Sequence, residues 1–109
     1  MNKYTELYDF EINKAVFHKA KIKYKYFRFL PSGVITYNIK GKYQVFDPCN
    51  NPADAMLIII ENKIGLSPMY HSNKWTADCL DYDFISVNKN PLRAAMELFL
   101  LMKDAENEG

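Results

Sequence analysis

Two stretches of the chain open in the same way. Asn51-Pro52-Ala53-Asp54-Ala55-Met56 heads one apolar run and Asn90-Pro91-Leu92-Arg93-Ala94-Ala95-Met96 heads another. Asparagine is a favoured helix N-cap because its side-chain oxygen accepts a free backbone N–H of the first turn. Proline suits the next position because the N–H it lacks would have no partner there. The pair therefore predicts two helices, from Pro52 to about Asn62 and from Pro91 to about Asp104, with the rest of the chain arranged around them. A helix start also carries free N–H groups and partial positive charge. Asn51 and Asn90 are thus candidates for holding an anion as well as for capping.

The remaining periodicity fills in the order. Leu7, Tyr8, Ile12, Ala15, Val16 and Ala20 recur at three- and four-residue spacing, which predicts a helix over 5–20 capped by Thr5 or Asp9. From Lys21 to Leu30 the period changes to two, as in a strand. Pro31-Ser32-Gly33 marks a turn, Val34 to Ile39 a second strand, Lys40-Gly41-Lys42 a hairpin loop and Tyr43 to Phe46 a third strand. The Pro52 helix is apolar nearly all round (Met56 to Ile60), so it is expected to be deeply buried. Ile64 to Tyr70 and Lys74 to Cys79 predict a second hairpin through His71-Ser72-Asn73, with Pro68 at an edge or break, and Asp83 to Val87 a further short strand. Leu92, Ala95, Met96, Phe99 and Met102 form the core stripe of the last helix, and residues 105–109 a frayed polar tail. The order α-β-β-β-α-β-β-(β)-α gives an α+β fold: an antiparallel sheet carrying two or three helices in a single domain.

Composition narrows the function classes. A chain of 109 residues with 49% hydrophobic and 25% charged residues can bury a core in one domain. A formal net charge of +1 disfavours nonspecific nucleic-acid binding. The basic stretch Lys19, Lys21, Lys23, Lys25 and Arg28, interleaved with Tyr24, Tyr26 and Phe27, is read as the solvated face of a strand. Cys49 and Cys79 lie in no Cys-x-x-Cys pair, so they read as free thiols in a reducing compartment. The polar start and the absence of a long apolar run predict a soluble, intracellular protein with no membrane contact.

Catalytic signals are poor. His18 and His71 lie in no metal-ligand spacing, and no phosphate-loop, dinucleotide or nucleophile-elbow motif is present. Asp47, Asp78, Asp81 and Asp83 near strand ends read as solvated or capping carboxylates. No enzyme activity, cofactor or metal is expected. Phe46, Trp75, Tyr82 and Phe84 fall near strand ends, and aromatic rings beside a helix start and an arginine would suit a nucleotide. The candidate ligand-binding residues are Arg93, Asn51, Asn90, Phe46, Trp75 and Tyr82. Arg93, third in its helix, sits where the dipole disfavours a cation unless an anion or a folded-in Asp such as Asp47 or Asp83 lies close. On this reading Arg93→Ala leaves stability within about 1 kcal/mol of wild type and removes anion binding.

The block Phe46-Asp47-Pro48-Cys49-Asn50-Asn51-Pro52-Ala53-Asp54-Ala55, with Ile58-Ile59-Ile60-Glu61-Asn62-Lys63-Ile64, resembles the NinX family of phage and prophage proteins. Leu7-Tyr8-Asp9-Phe10-Glu11-Ile12-Asn13-Lys14 and the Asn90 to Met96 start resemble it too, while Met56 stands where the family tends to carry Trp. The resemblance implies a phage accessory protein of unsettled activity. More loosely, the repeated Asn-Pro pattern is similar to phage α-β-α sandwich proteins, among them anti-Thoeris sponges that sequester cyclic ADP-ribose-type signals. That likeness implies a non-enzymatic counter-defence sponge for a cyclic nucleotide, homo-oligomeric, with Arg93 on the ligand. The alternatives are an adaptor or inhibitor acting on a host or phage protein through aromatics near the Tyr24–Phe29 strand, and a nucleic-acid-associated phage protein.

Overall fold

A computed structural model of the chain describes residues 2–20 and 27–108. It has three helices and two separate antiparallel sheets of three strands, an α+β fold in the expected order. Helix α1 spans Asp9–Ala20, α2 Pro52–Glu61 and α3 Pro91–Glu108. Sheet A is β1 (Phe27–Phe29), β2 (Ile35–Ile39) and β3 (Lys42–Val45), and sheet B is β4 (Gly65–Pro68), β5 (Trp75–Asp78) and β6 (Ser86–Asn88). The single sheet of the sequence reading is thus two. The expected strand from Lys21 is seen from Phe27, and Lys21 to Tyr26, with the middle of the basic stretch, lie outside the described residues.

Two boundaries differ for local reasons. Helix α1 begins at Asp9 because the carbonyl of Tyr8 accepts its first bonds, from the amides of Glu11 and Ile12. Residues 2–7 form turns instead of a first helical turn. Helix α3 continues through Ala105 to Glu108, where the sequence placed a frayed tail. An i,i+3 pair between Lys103 and Glu106 (3.2 Å) spans that last stretch.

The core is organised around α3, which packs against α1, α2 and all three strands of sheet B. Ala94 through Leu100 are buried without interruption. The row Leu66, Ala77 and Ser86 of sheet B faces this helix. Sheet A is joined to α1 by rings: Phe17 meets Phe27 at 4.2 Å and Phe46 at 5.9 Å, both edge to face, and Phe27 leans on Tyr37 at 5.7 Å.

The expected deep burial of α2 is overturned. Only Ala55, Ile58 and Ile59 are enclosed, because α2 packs chiefly on α3 and nothing among the described residues covers its other side. Met56, Leu57 and Ile60 are exposed, Leu57 and Ile60 by 64% and 67%. The helix that is buried nearly all round is α3, which carries a charged pair in its first turns.

Gly33 closes the turn between β1 and β2 at φ +94°, and the Phe10 ring lies 2.8 Å from where a Cβ would stand. Gly33→Ala should therefore cost about 1–2 kcal/mol, read as a lower urea midpoint. An unchanged midpoint would show that the turn can invert at no cost. The Ile39–Lys42 hairpin turns through Lys40 (φ 52°) and Gly41 (φ 84°), both left-handed as a two-residue type I′ loop requires.

Candidate functional site

Three helix starts converge at one end of the molecule. Asn51 caps α2: its Oδ1 accepts the Ala53 amide at 3.0 Å. Asn90 caps α3, accepting from Leu92 at 2.9 Å and Arg93 at 3.4 Å. Its amide nitrogen also donates to the Cys49 carbonyl (2.6 Å) and to Asn50 Oδ1 (3.0 Å), which ties the α3 start to the loop before α2. Asn50 in turn donates to Asp9 (3.0 Å) on α1 and to Asp47 (3.2 Å). Buried Asn13 of α1 donates to Asp47 (2.8 Å) and accepts the Cys49 amide (3.2 Å). Asp54 of α2 accepts the Asp47 amide (2.9 Å) and the Tyr37 hydroxyl (2.7 Å), which carries the network to sheet A.

Arg93 is the hub of this junction and is 7% exposed. Its Nε donates to Glu97 at 2.8 Å, one terminal nitrogen donates to Asp9 at 2.6 Å, and the other donates to the carbonyls of Leu7 (2.6 Å) and Tyr4 (3.0 Å). Burial works against the guanidinium's charge, but Asp9 and Glu97 outweigh it and raise the pKa above its ordinary value. For Asp9 burial acts upward, and the Asn50 amide and Arg93 overcome it, holding the carboxyl below its usual range. The acid beside Arg93 that the helix dipole called for is present, as Asp9 and Glu97 in place of Asp47 or Asp83. The planar fork is thereby filled from within the chain.

The far end of α3 holds the chain's first residues. Tyr4 donates its hydroxyl to Asp104, and Lys3 pairs with the same carboxylate at 2.9 Å. Burial and that bond push Tyr4 up to about 12. Residues 3–7 therefore run as a strap along α3, fixed at one end by Asp104 and at the other by Arg93.

Of the candidate rings only Phe46 borders the junction, lining a small cavity of about 190 Å³ with Asp9, Asn13 and Asp47. Phe46, 4% exposed, lies in the sheet A cluster with Phe17, Phe27 and Tyr37. Trp75 sits half-buried on β5, opposite Pro68 and Asn88. Tyr82 stacks on Phe84 at 5.0 Å in the loop before β6. The Asn-Pro starts and Arg93 are brought together, then, with Phe46 at their edge, and Trp75 and Tyr82 are not. Asp78 is on β5, away from Asp47, and no cluster of three His, Cys, Asp or Glu side chains among the described residues could hold a metal ion. Cys49 is buried and Cys79 half-buried, both as free thiols; burial and nearby Asp9 push the Cys49 thiol pKa well up, out of nucleophilic reach. His18 stacks on Phe29 at 5.7 Å.

Sequence reasoning missed Glu97 and Asn50. Glu97 was legible in principle, as the acid four residues after Arg93 on one helix face. Asn50 carried no signal of its own, because its partners Asp9 and Asn90 are distant in the chain.

No helix of the described residues is long and apolar enough to cross a membrane. No curated protein and no solved structure matches the chain. The family described as Bacteriophage P22, NinX matches residues 3–103, from the strap through both Asn-Pro starts and most of α3. Across that span the chain belongs to the NinX family of phage proteins.

Proposed function

We propose that this phage accessory protein acts without chemistry, by protein–protein contact through the open face of α2. The carrying observation is the stripe Ala53, Met56, Leu57 and Ile60, spaced as one helix face, exposed and uncharged. Exposure of an apolar stripe of this kind to water costs free energy until something covers it. A second copy of the chain, pairing stripe to stripe across a two-fold axis, is the occupant proposed first, and a host or phage protein the next. Introducing charge with Leu57→Glu and Ile60→Glu should leave the fold intact, since both side chains already face water. Sedimentation at micromolar concentration should show wild type as a dimer and the double variant as a monomer. A monomeric wild type that also captures the same proteins from lysate as the double variant would rule the face out.

A second reading, a sponge for a cyclic nucleotide or ADP-ribose-type signal, has a different observation in its favour. A cavity of about 560 Å³ opens where the three helices end, with Phe99 and Ile58 lining its wall and His18, Lys19 and Lys103 at its rim. Its volume lies within the range of small-molecule sites. Arg93 is held by internal partners and does not line this cavity, so the anion would rest on Lys19, against Glu61 and Glu106 on the same lining and with Lys103 already paired to Glu106 at 3.2 Å. Thermal-shift screening against cyclic nucleotides and cyclic ADP-ribose isomers separates the readings, and a flat response across the panel ends the sponge.

A further inference from the structure

Sheet A has a second face, turned away from the ring cluster that binds α1. The register places Arg28, Thr36 and Val45 in one row across it, and Asn38 and Tyr43 in the next. The Arg28 guanidinium lies over the Tyr43 ring, 5.9 Å from its centre, and that ring is 64% exposed. Lys40 stands exposed at the hairpin turn that ends this face, whereas Lys42, paired with Ile39, falls on the opposite face by strand alternation. Among the described residues no carboxylate pairs with Arg28, Lys40 or Lys42.

The reason lies in the charge pattern. Residues 12–46 contain eight lysines and arginines and no aspartate or glutamate. The rest of the chain carries all thirteen acids against six cations. A net charge of +1 thus conceals a strongly basic block and an acidic remainder, and sheet A belongs wholly to the basic block. Overall neutrality is no argument against a polyanion when the charges are segregated in this way.

We propose that the outer face of sheet A binds single-stranded nucleic acid, with phosphates on Arg28 and Lys40 and a base stacked on Tyr43. Charge complementarity selects a polyanion, and the open ring selects one with unpaired bases, since a duplex keeps its base faces in its own stack. Thr36 and Asn38 put polar groups between the cations, where they can bond to sugar or base edges. The site shares no residue with the α2 stripe or the helix-end cavity, so its failure and theirs are separable.

The test is fluorescence anisotropy of a labelled oligothymidylate titrated with the full chain. Two phosphate contacts give a salt slope of about −1.4, so affinity should fall about sevenfold between 50 and 200 mM salt. Tyr43→Ala should weaken binding about tenfold and leave the salt slope unchanged. Arg28→Glu combined with Lys40→Glu should abolish binding while circular dichroism shows the fold retained. The α2 double variant should bind like wild type. No binding at low salt, equal affinity for a duplex or for polyglutamate, or an unchanged affinity in Tyr43→Ala would each overturn the proposal.

Discussion

Arg93→Ala is expected to lower stability by about 3–5 kcal/mol, because it removes one partner of a buried ion pair and leaves the other charged. Glu97 is fully buried, with one carboxylate oxygen bonded to Arg93 and the other without any partner. The substitution strips Glu97 of its counter-charge and frees the carbonyls of Tyr4 and Leu7, so the strap loses one of its two anchors. Urea unfolding reads the effect directly, and a loss under about 1 kcal/mol would show that the hub is dispensable. Replacing both members, Arg93→Met with Glu97→Met, should recover much of the loss, since an apolar pair needs no counter-charge. Acidification adds a second readout. Asp9 has a lowered folded pKa, so its contribution is full above its unfolded pKa, about 3.9, and is lost as pH falls through the folded value. The gap between wild type and Arg93→Ala should therefore narrow below about pH 4. Its Asp9 share is modest, because that side chain is 44% exposed.

The sequence by itself leads to the opposite expectation for this residue, and the reason is physical. Local rules describe a residue's neighbours within a turn or two. They place Arg93 at the third helical position, where a cation is mildly unfavourable, and from there a bound anion is one remedy among several. The remedy adopted is Asp9, 84 residues away, with Glu97 one turn along. Only the packing of α1 on α3 decides between an internal and an external anion, and single-sequence periodicity does not report which helices touch. The same limit explains the exchange of roles between α2 and α3. Apolar residues all round α2 state that it could be buried, not that enough chain exists to cover it. Polar residues in α3 disguise a helix whose charges satisfy one another inside the core. What was legible is what short-range chemistry fixes: the Asn-Pro caps, the Lys40-Gly41 hairpin, the turn through His71-Ser72-Asn73 and the approximate positions of β2 to β6. The division into two sheets was not, because β3 and β4 are separated by α2 and their pairing is a question of tertiary contact alone.

The two Asn-Pro starts read identically and should respond differently. Asn51→Ala should cost about 1 kcal/mol, the loss of one capping bond from a half-exposed side chain. Asn90→Ala should cost about 2–3 kcal/mol, because the same substitution removes a cap and orphans a second set of groups. The carbonyl of Cys49, a residue with no exposed surface, loses its side-chain donor, and Asn50 loses the bond that joins it to the α3 start. The cost should also be non-additive with Arg93→Ala, since Asn50 bridges Asn90 to Asp9 and Asp9 is the partner of Arg93. A double-mutant cycle of Asn90→Ala and Arg93→Ala should give a coupling of at least about 0.5 kcal/mol, whereas Asn51→Ala paired with Arg93→Ala should add within experimental error. Equal costs for the two caps, or strict additivity at Asn90, would mean that the junction is three separate helix ends and not one network. A network of this kind makes α1, α2 and α3 fold as a unit, which is what lets a chain of 109 residues leave an apolar helix face and a basic sheet face free for partners.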